Sequence, residues 1–331
     1  MNKLNLYIIS GVTGMTGNEL ARLLISKGES VIGFDNFFAS SINTVSDIID
    51  NERFVFFEYD LRSDEQMNAL KALVKDKKSS YEKLFYVNCA AVVSTEYFYH
   101  VHDTFETNVV GMNKFLNQAI EVGADVFINC STSEVYSMNS YREGGVREDD
   151  YLTLANAEHS QRTSYATGKL MTEFFTKDAV DNKKIAACSI RFANVYSKNE
   201  LYPKHVIPHI LNQLKTQGKV TLLENAKKTY RTFLHNQDSC LAVYMLMHTP
   251  SALDGTVYNV GTQEEISIID LVYLCADLLK IDKPEIEFKG VRTADPPRRL
   301  LSTQKLRQRT GWTDKVTLKE GIKMCVEEMN K

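Results

Sequence analysis

The chain has 331 residues, which is enough for one large α/β unit and a smaller lobe. Hydrophobic residues make up 44% and charged residues 24%, values that are ordinary for a globular protein. A net charge of −3 gives no reason to expect a nucleic-acid partner, and no window approaches the ~18 apolar residues that a membrane span requires. The six cysteines are scattered without metal-ligand spacing, so we expect no metal and reduced thiols in a cytosolic protein.

Short apolar segments alternate with longer helical patterns up to about residue 194. The predicted strands are LYIIS, SVIGF, FVFFEY, KLFYVNCAA, VFINCS and KIAACSIRF. The helical patterns between them are NELARLLISKG, DEQMNALKALVKD, TFETNVVGMNKFLNQAIEVG and SYATGKLMTEFFTKDAV. Buried strands separated by helices predict a doubly wound parallel sheet of the Rossmann type. All six prolines lie beyond Asn194, where we expect a smaller mixed α/β lobe.

A glycine loop follows the first predicted strand, with Gly11, Gly14 and Gly17 at a spacing of three. Without side chains, the backbone N–H groups of such a loop can approach a pyrophosphate at a helix N-terminus. The second strand ends at Asp35, whose carboxylate can accept hydrogen bonds from ribose hydroxyls, although a solvated turn would also suit it. Because this carboxylate would repel a 2′-phosphate, NAD is favoured over NADP. After the third strand, Asp60 and Leu61 could contact adenine, or Asp60 could cap a helix.

Tyr165 and Lys169 are four residues apart in a predicted helix and therefore share one face. A nearby ammonium stabilises phenolate, so we expect Lys169 to lower the pKa of Tyr165 and make it a general base. About 30 residues upstream, INCSTSEVYS follows a predicted strand. There Thr132 offers a hydroxyl to a substrate oxygen that is being oxidised, and Ser133 and Glu134 follow it. The pattern indicates an enzyme that oxidises a carbinol, at least transiently.

A set of short motifs runs through almost the whole chain. They are GVTGMTG, Asp35, NCAA (88–91), Asn108 in TNVVGMNKFL, STSEVY (131–136), YATGK (165–169), RFANVY (191–196), TYRTFLHNQD (229–238), VYNVGT (257–262) and DPPRRL (295–300). As a set they resemble the extended short-chain dehydrogenase/reductase superfamily, and more narrowly its NAD-dependent nucleotide-sugar epimerase/dehydratase family. Ser137 departs from the pattern, because many members have glycine there.

The resemblance implies that NAD stays bound to residues 1–193 together with about 232–261. A nucleotide-diphosphate sugar would bind the lobe formed by about 194–231 and 262–331. Tyr165 would take the proton of the sugar C4-hydroxyl while a hydride passes to NAD, and Lys169 would hold the nicotinamide ribose. The hydride would later return. Helices at about 103–121 and 164–180 would pair with their copies in a homodimer.

The implied contacts can be stated residue by residue. Those to the cofactor would come from Gly11, Gly14, Met15, Thr16, Gly17, Asp35, Asn36, Asp60, Leu61, Ala90, Ala91, Asn108, Tyr165 and Lys169. Those to the substrate would come from Asn194, Arg231 and Arg298 or Arg299, with His205 either in a lid over the sugar or capping a helix.

The triplet Thr132-Ser133-Glu134 bears on the fate of the oxidised sugar. Once C4 is a ketone, the C5 proton is acidic, and a carboxylate could remove it with loss of water. The Thr-Ser-Glu form resembles 4,6-dehydratases and UDP-glucuronate decarboxylases, whereas simple 4-epimerases more often have Ser-Ser or Ser-Ala. We therefore expect a 4,6-dehydratase or uronate decarboxylase. A 4-epimerase is the alternative function, and Glu134 could be only a structural hydrogen-bond acceptor. A 4-ketoreductase or a non-catalytic NAD-binding sensor is less favoured.

Overall fold

The computed structural model of the protein describes residues 3–93, 96–161, 163–200, 202–292 and 295–331. Its strands are β1 (Leu6–Ser10), β2 (Ser30–Asp35), β3 (Phe54–Glu58), β4 (Leu84–Asn88), β5 (Val126–Thr132), β6 (Ala186–Phe192), β7 (Asn194–Tyr196), β8 (Lys219–Leu222), β9 (Tyr230–His235), β10 (Asp254–Val260), β11 (Glu265–Ser267) and β12 (Glu285–Phe288). Its α-helices are α1 (Met15–Ser26), α2 (Asp64–Lys77), α3 (Val101–Phe105), α4 (Met112–Glu121), α5 (Thr163–Asp181), α6 (Val206–Gln217), α7 (Asn236–Met247), α8 (Ile268–Leu279), α9 (Gln304–Thr310) and α10 (Leu318–Glu328).

Seven parallel strands form the main sheet in the order β10-β6-β5-β4-β1-β2-β3. The predicted doubly wound parallel sheet is confirmed, and all six predicted strands are present in it. The chain winds outward in one direction through β1, β2 and β3 and in the other through β4, β5 and β6. The strand order therefore reverses between β1 and β4, and a crevice opens there at the carboxyl ends of the strands.

Apolar side chains alternate between the two faces of this sheet, which is why helices cover both of them. In β1, Tyr7 and Ile9 point into one buried cluster, while Leu6 and Ile8 point into the other. The first cluster lies under α1 and α7, and the second lies under α2 and α4. The glycine loop and the Thr132–Glu134 segment therefore both follow the ends of strands in one packed sheet.

The smaller lobe contains two short sheets, β11-β9-β7 and β12-β8, packed with α6, α8 and α10. Strand β7 begins two residues after β6 ends, so the chain leaves the main sheet abruptly and returns to it only with β10. This path places the β7 and β9 ends beside the carboxyl edge of the main sheet. The division of the chain into two domains stays a prediction.

The helix expected at about 103–121 consists of α3, a π-helical turn at Glu106–Gly111, and α4. Such turns insert a residue into a helix and are frequent near functional sites. No helix in the described ranges is both long and apolar enough to cross a membrane. All six cysteines are free thiols.

We predict that Gly321→Ala destabilises the lobe by about 1–3 kcal/mol, although alanine normally favours a helix. A Cβ at this position of α10 would lie 1.9 Å from the Tyr196 hydroxyl oxygen at the end of β7. Urea unfolding would measure the change. Tyr196→Phe in the same background should restore part of the loss. Lys323→Ala, on an exposed position of α10, is the control and should change stability by less than about 0.5 kcal/mol. A more stable Gly321→Ala protein would contradict this packing.

Candidate active site

One cavity of about 1080 Å³ runs along the carboxyl ends of β1, β4 and β5 and continues into the smaller lobe. We refer to it as the cleft. Ligand pockets usually have volumes of about 300–1,000 Å³, so the cleft has room for two sizeable ligands. Its lining combines the glycine loop, the Thr132–Glu134 segment, the N-terminal part of α5 and residues of β7, α6 and β9.

The glycine loop forms one end of the cleft. At two of its positions a larger side chain would clash with the neighbouring backbone, which is why glycine is needed there. Gly11 has a φ of +69°, and a Cβ there would lie 2.7 Å from the Ala90 Cα. A Cβ on Gly17 would lie 2.2 Å from the Gly11 carbonyl oxygen. Helix α1 begins at Met15, directly behind this turn. The remaining predicted contacts in this region, Gly14, Met15, Thr16, Ala90 and Ala91, also line the cleft.

Asp35 lies at the end of β2 and faces the cleft. Its carboxylate accepts hydrogen bonds from the backbone N–H of Thr13 (3.2 Å) and of Phe37 (2.9 Å). The side chain is thus held against the glycine loop.

Asp60 lines the cleft beside Leu61 and Asn36, but it does not cap a helix. The N-cap of α2 is Ser63, whose hydroxyl accepts from the Gln66 N–H. The Asp60 carboxylate instead accepts from the Arg62 guanidinium (2.6 Å) and from the Asn36 amide (3.1 Å). The Arg62 hydrogen bond is the main reason that the pKa of Asp60 is lowered to about 2. Arg62, which the sequence analysis did not identify, also lines the cleft.

Asn108 does not line the cleft. Its side-chain oxygen accepts from the Val92 N–H (2.7 Å), and its amide donates to the Val92 carbonyl (3.0 Å). Asn108 therefore fixes the segment after β4, which carries Ala90 and Ala91, and acts on a bound ligand only through that segment.

Tyr165 and Lys169 share the buried face of α5, and Thr132 ends the neighbouring β5. All three line the cleft, and a side-chain hydrogen bond joins Thr132 to the Tyr165 phenol. The Lys169 ammonium donates to the Cys130 carbonyl at 2.6 Å. The structure thus brings the three predicted side chains together at the carboxyl end of β5.

The expectation that Lys169 lowers the pKa of Tyr165 is wrong for this arrangement. Burial raises the pKa of Tyr165 above its ordinary value, and the hydrogen bond with Thr132 offsets only part of the rise. The ammonium of Lys169 is directed to a backbone carbonyl, and burial lowers the pKa of Lys169 as well. Sequence spacing gave the shared face correctly, but it could not show that the phenol is shielded from water.

A buried ion pair lies beneath these side chains. Arg191 on β6 donates to both carboxylate oxygens of Glu173 on α5, at 3.0 and 2.7 Å, and both side chains are almost fully buried. The Ser131 hydroxyl donates to the same carboxylate at 2.6 Å, and Arg191 also donates to the Tyr136 hydroxyl at 3.0 Å. This network connects β5, β6 and α5 one turn beyond Lys169.

Glu134 follows β5 and is paired with Arg299, with 2.7 Å between Oε1 and Nη1. The Arg299 side chain is only 4% exposed, and its Nε and Nη2 are buried without a hydrogen-bond partner among the described residues. Burial alone would lower the pKa of Arg299, but the charge of Glu134 outweighs it and the pKa is raised. Ser133 is buried at the cleft wall, and Ser137 has a φ of +47°, which explains why glycine suits that position.

The predicted substrate contacts fall into two groups. Asn194, His205, Arg231 and Arg299 line the cleft. Arg298 does not, because its guanidinium pairs with Glu265 and lies 3.8 Å from the ring centre of Tyr141 outside the cleft. His205 is the N-cap residue of α6 but makes no side-chain cap, and its ring contacts Glu200 instead.

Arg231 is held in the cleft by Asp295, with 3.0 Å between Nη2 and Oδ1. Burial and the nearby Arg299 lower the pKa of Arg231 to about 10. A guanidinium whose charge is disfavoured by a neighbouring guanidinium is typical of an anion site.

The sequence analysis did not identify several residues that line the cleft. They are the cations Lys204, Lys289 and Arg292 and the aromatic residue Phe98. Lys289 and Arg292 precede the DPPRRL motif, so a run of cations near that motif was an available signal. Phe98 stands in the run YFYH, which has no distinguishing pattern.

The chain is similar in sequence and in fold to several known proteins. UDP-glucuronic acid decarboxylase 1 of Arabidopsis thaliana is 25% identical over 97% of this chain and 69% of its own. The dTDP-D-glucose 4,6-dehydratase of Mus musculus is 25% identical over 96% of this chain and 87% of its own. The crystal structure of UDP-glucose 4-epimerase from Thermotoga maritima superposes with a TM-score of 0.85 at 22% identity, covering 98% of both chains, which supports the fold.

The model of one protein family matches residues 7–261, a range that contains the glycine loop, Asp35, Thr132, Glu134, Tyr165, Lys169 and Arg231. With its sheet, its glycine loop and its Tyr165–Lys169 pair, the chain belongs to the NAD-dependent epimerase/dehydratase family of enzymes.

Proposed function

We propose that the protein oxidises C4 of a nucleotide-diphosphate uronic acid, removes carbon dioxide from the 4-keto sugar, and then reduces C4 again. The observation that carries this proposal is the Glu134–Arg299 pair, which lies two residues from Thr132 and leaves two Arg299 donors without a partner. The names of both relatives support a nucleotide-diphosphate sugar as the substrate, and the name of the decarboxylase also supports a uronic acid.

The residues at the main-sheet end of the cleft fit NAD. Gly11 and Gly17 leave a cradle that a Cβ would fill, so a pyrophosphate can approach the N-terminus of α1. Asp35 would accept from the adenosine ribose, and Asn36, Asp60 and Leu61 would surround the adenine. When bound there, NAD would supply the acceptor for the C4 hydride and the donor for its return.

Tyr165 would take the proton of the C4-hydroxyl, because its phenol faces the cleft and is hydrogen-bonded to Thr132. Since burial raises the pKa of Tyr165, its phenolate form is scarce at neutral pH and turnover should rise with pH. Lys169, on the same face of α5, keeps this helix attached to β5 through the Cys130 carbonyl.

The smaller lobe offers cations for the diphosphate. Arg231 is buried and fixed by Asp295, whereas Lys289 and Arg292 are exposed at the rim. Arg231 would bind phosphate oxygens with a fixed planar fork, and the two rim cations would attract the nucleotide from solution.

The choice between loss of carbon dioxide and loss of water depends on residues 133 and 134. A 4-keto uronate is a β-keto acid, so its C5–C6 bond can break with the electrons passing to the C4 oxygen, and C5 is then protonated. This step needs no acid for a leaving group, and the unpartnered donors of Arg299 can receive the carboxylate. Dehydration must protonate a leaving hydroxide, and position 133 carries a serine hydroxyl instead of a carboxylic acid.

Dehydration is the second candidate, because Glu134 is a carboxylate placed where it could take the C5 proton. Its carboxylate is held by Arg299, so it would have to leave this ion pair to act as the base.

We also propose a homodimer. Four apolar side chains on the adjoining helices α3 and α5 are exposed by 41–61%, and they are Val101, Phe105, Met171 and Phe174. A second copy would bury this surface, which a monomer would leave in water.

We expect the purified protein, given NAD and a panel of UDP-, GDP-, CDP- and dTDP-sugars that includes uronic acids, to release carbon dioxide from a nucleotide uronate. Mass spectrometry of the products would show which group the sugar has lost. Tyr165→Phe should bind NAD normally and turn over about 10²–10⁴-fold more slowly, because the proton acceptor is lost. Loss of water from a neutral hexose would establish the dehydratase. A new isomer of unchanged mass would mean a 4-epimerase and would contradict the assignment of Glu134.

Arg299→Met should lower kcat/KM for the uronate by about 10- to 100-fold, since two hydrogen bonds to a charged group are lost. Arg298→Met is the matched control, because the neighbouring guanidinium lies outside the cleft, and it should stay within about twofold of the wild type. NAD affinity should be unchanged in both. Equal losses in the two variants would contradict a carboxylate site at Arg299.

Phe174→Asp should convert the dimer to a monomer, because a charge would enter the apolar contact. Light scattering after size-exclusion chromatography gives the mass directly. Tyr273→Asp is the control, since Tyr273 is similarly exposed on α8, away from this surface. A monomeric wild-type protein would rule the dimer out.

A further inference from the structure

An aromatic ring covers the face of Tyr165. The Phe98 and Tyr165 rings are stacked, with centroids 4.2 Å apart and planes inclined by 14°. Phe98 is 4% exposed and Tyr165 is 5% exposed, and both line the cleft. Phe98 belongs to a 3₁₀ turn, Tyr97–Tyr99, in the segment that connects β4 to α3.

Two hydrogen bonds fix this turn to the surrounding helices. The Ser164 hydroxyl donates to the Phe98 carbonyl at 3.0 Å, and the Thr104 hydroxyl donates to the Tyr97 carbonyl at 3.0 Å. Ser164 immediately precedes Tyr165 on α5. The turn and the start of α5 are therefore attached to each other both through the backbone carbonyl and through the stacked rings.

The stack and the hydrogen bond with Thr132 hold Tyr165 at two points. Phe98 restricts rotation of the phenol about its χ angles, and Thr132 fixes the hydroxyl end. A proton acceptor must be held within a few tenths of an ångström of its productive position, and a misplacement of about 1 Å can cost ~100-fold in rate. Phe98 also excludes water from the face of the ring.

We propose that Phe98 is a positioning residue for the reaction, which orients the Tyr165 phenol and separates it from bulk water. This inference rests on the proposed function, in which Tyr165 takes the C4-hydroxyl proton. Burial is the largest cause of the raised pKa of Tyr165, and Phe98 contributes to that burial. The other groups that act on the phenol are Thr132, Glu134 and Cys130, while Lys169 on the same helix is bonded to the Cys130 carbonyl.

The test compares Phe98→Leu, Phe98→Ala and Phe98→Tyr. Phe98→Leu keeps an apolar side chain but loses the flat ring, so kcat should fall on the order of tenfold while KM changes less than about twofold. The acid limb of the pH profile of kcat should move to lower pH in Phe98→Leu and further in Phe98→Ala, because water reaches the phenol. Phe98→Tyr keeps the ring and should retain the wild-type kcat and profile. Tyr99→Leu is the control, since Tyr99 is 55% exposed in the same turn.

A second measurement needs no substrate. Nitration by tetranitromethane, mapped to Tyr165 by peptide mass spectrometry, should be slow in the wild type and several-fold faster in Phe98→Ala, with circular dichroism confirming the fold. Unchanged nitration and an unchanged kcat profile in Phe98→Leu would overturn the proposal. A raised KM with normal kcat would also overturn it, because Phe98 would then be a substrate contact. If no sugar is turned over by the wild type, the proposed function fails, while nitration still decides whether Phe98 shields Tyr165.

Discussion

The buried ion pair between Glu173 and Arg191 is the interaction on which the geometry of the site depends. It joins α5 to β6, and through Ser131 it also joins both to the carboxyl end of β5. Burial alone would lower the pKa of Arg191, but the hydrogen bonds and charge of Glu173 outweigh it and keep the guanidinium charged. Removing one partner from such a pair typically costs 3–5 kcal/mol, because the other charge is left buried and unpaired.

This pair matters because the buried face of α5 is mostly polar. Apolar packing alone would tolerate a rotated helix, but hydrogen bonds do not. Thr172 accepts from the Asn129 side chain at 3.0 Å, Lys169 donates to the Cys130 carbonyl, and Glu173 receives Arg191 and Ser131. Each contact fixes the same helical rotation, and that rotation brings Tyr165 to Thr132. The rotation of α5 that brings Tyr165 to Thr132 is therefore determined by hydrogen bonds more than by apolar packing.

The sequence predicted the elements whose signals are local. Strand ends followed by small or acidic residues correctly located the glycine loop and Asp35, and helical spacing gave the shared face of Tyr165 and Lys169. It did not predict what depends on contacts between distant segments. Asn108 was expected at the cofactor but bonds to Val92. Burial raises the pKa of Tyr165, and the stacked ring of Phe98, from a segment with no distinguishing sequence pattern, is part of that burial.

The placement of Arg299 illustrates the same limit and explains the chemistry proposed for it. DPPRRL contains two arginines, and only the register of this extended segment decides which one faces inward. That register is set by backbone hydrogen bonds to the segment that follows Glu134. The Leu300 N–H donates to the Ser140 carbonyl at 2.9 Å, and the Leu300 carbonyl accepts from the Val146 N–H at 2.8 Å.

A Cβ on Gly145 would lie 2.4 Å from the Ser302 nitrogen, so the two segments can approach this closely only with glycine there. A shift of one residue would place Arg298 instead of Arg299 opposite Glu134. The side chains of this segment that face the cleft would then face away from it. The group that would hold the substrate carboxylate is thus positioned by the loop that follows Glu134. A change in the length or register of residues 138–146 would alter the fate of the 4-keto sugar without changing its oxidation, because Tyr165, Thr132 and the glycine loop belong to the main sheet and its helices.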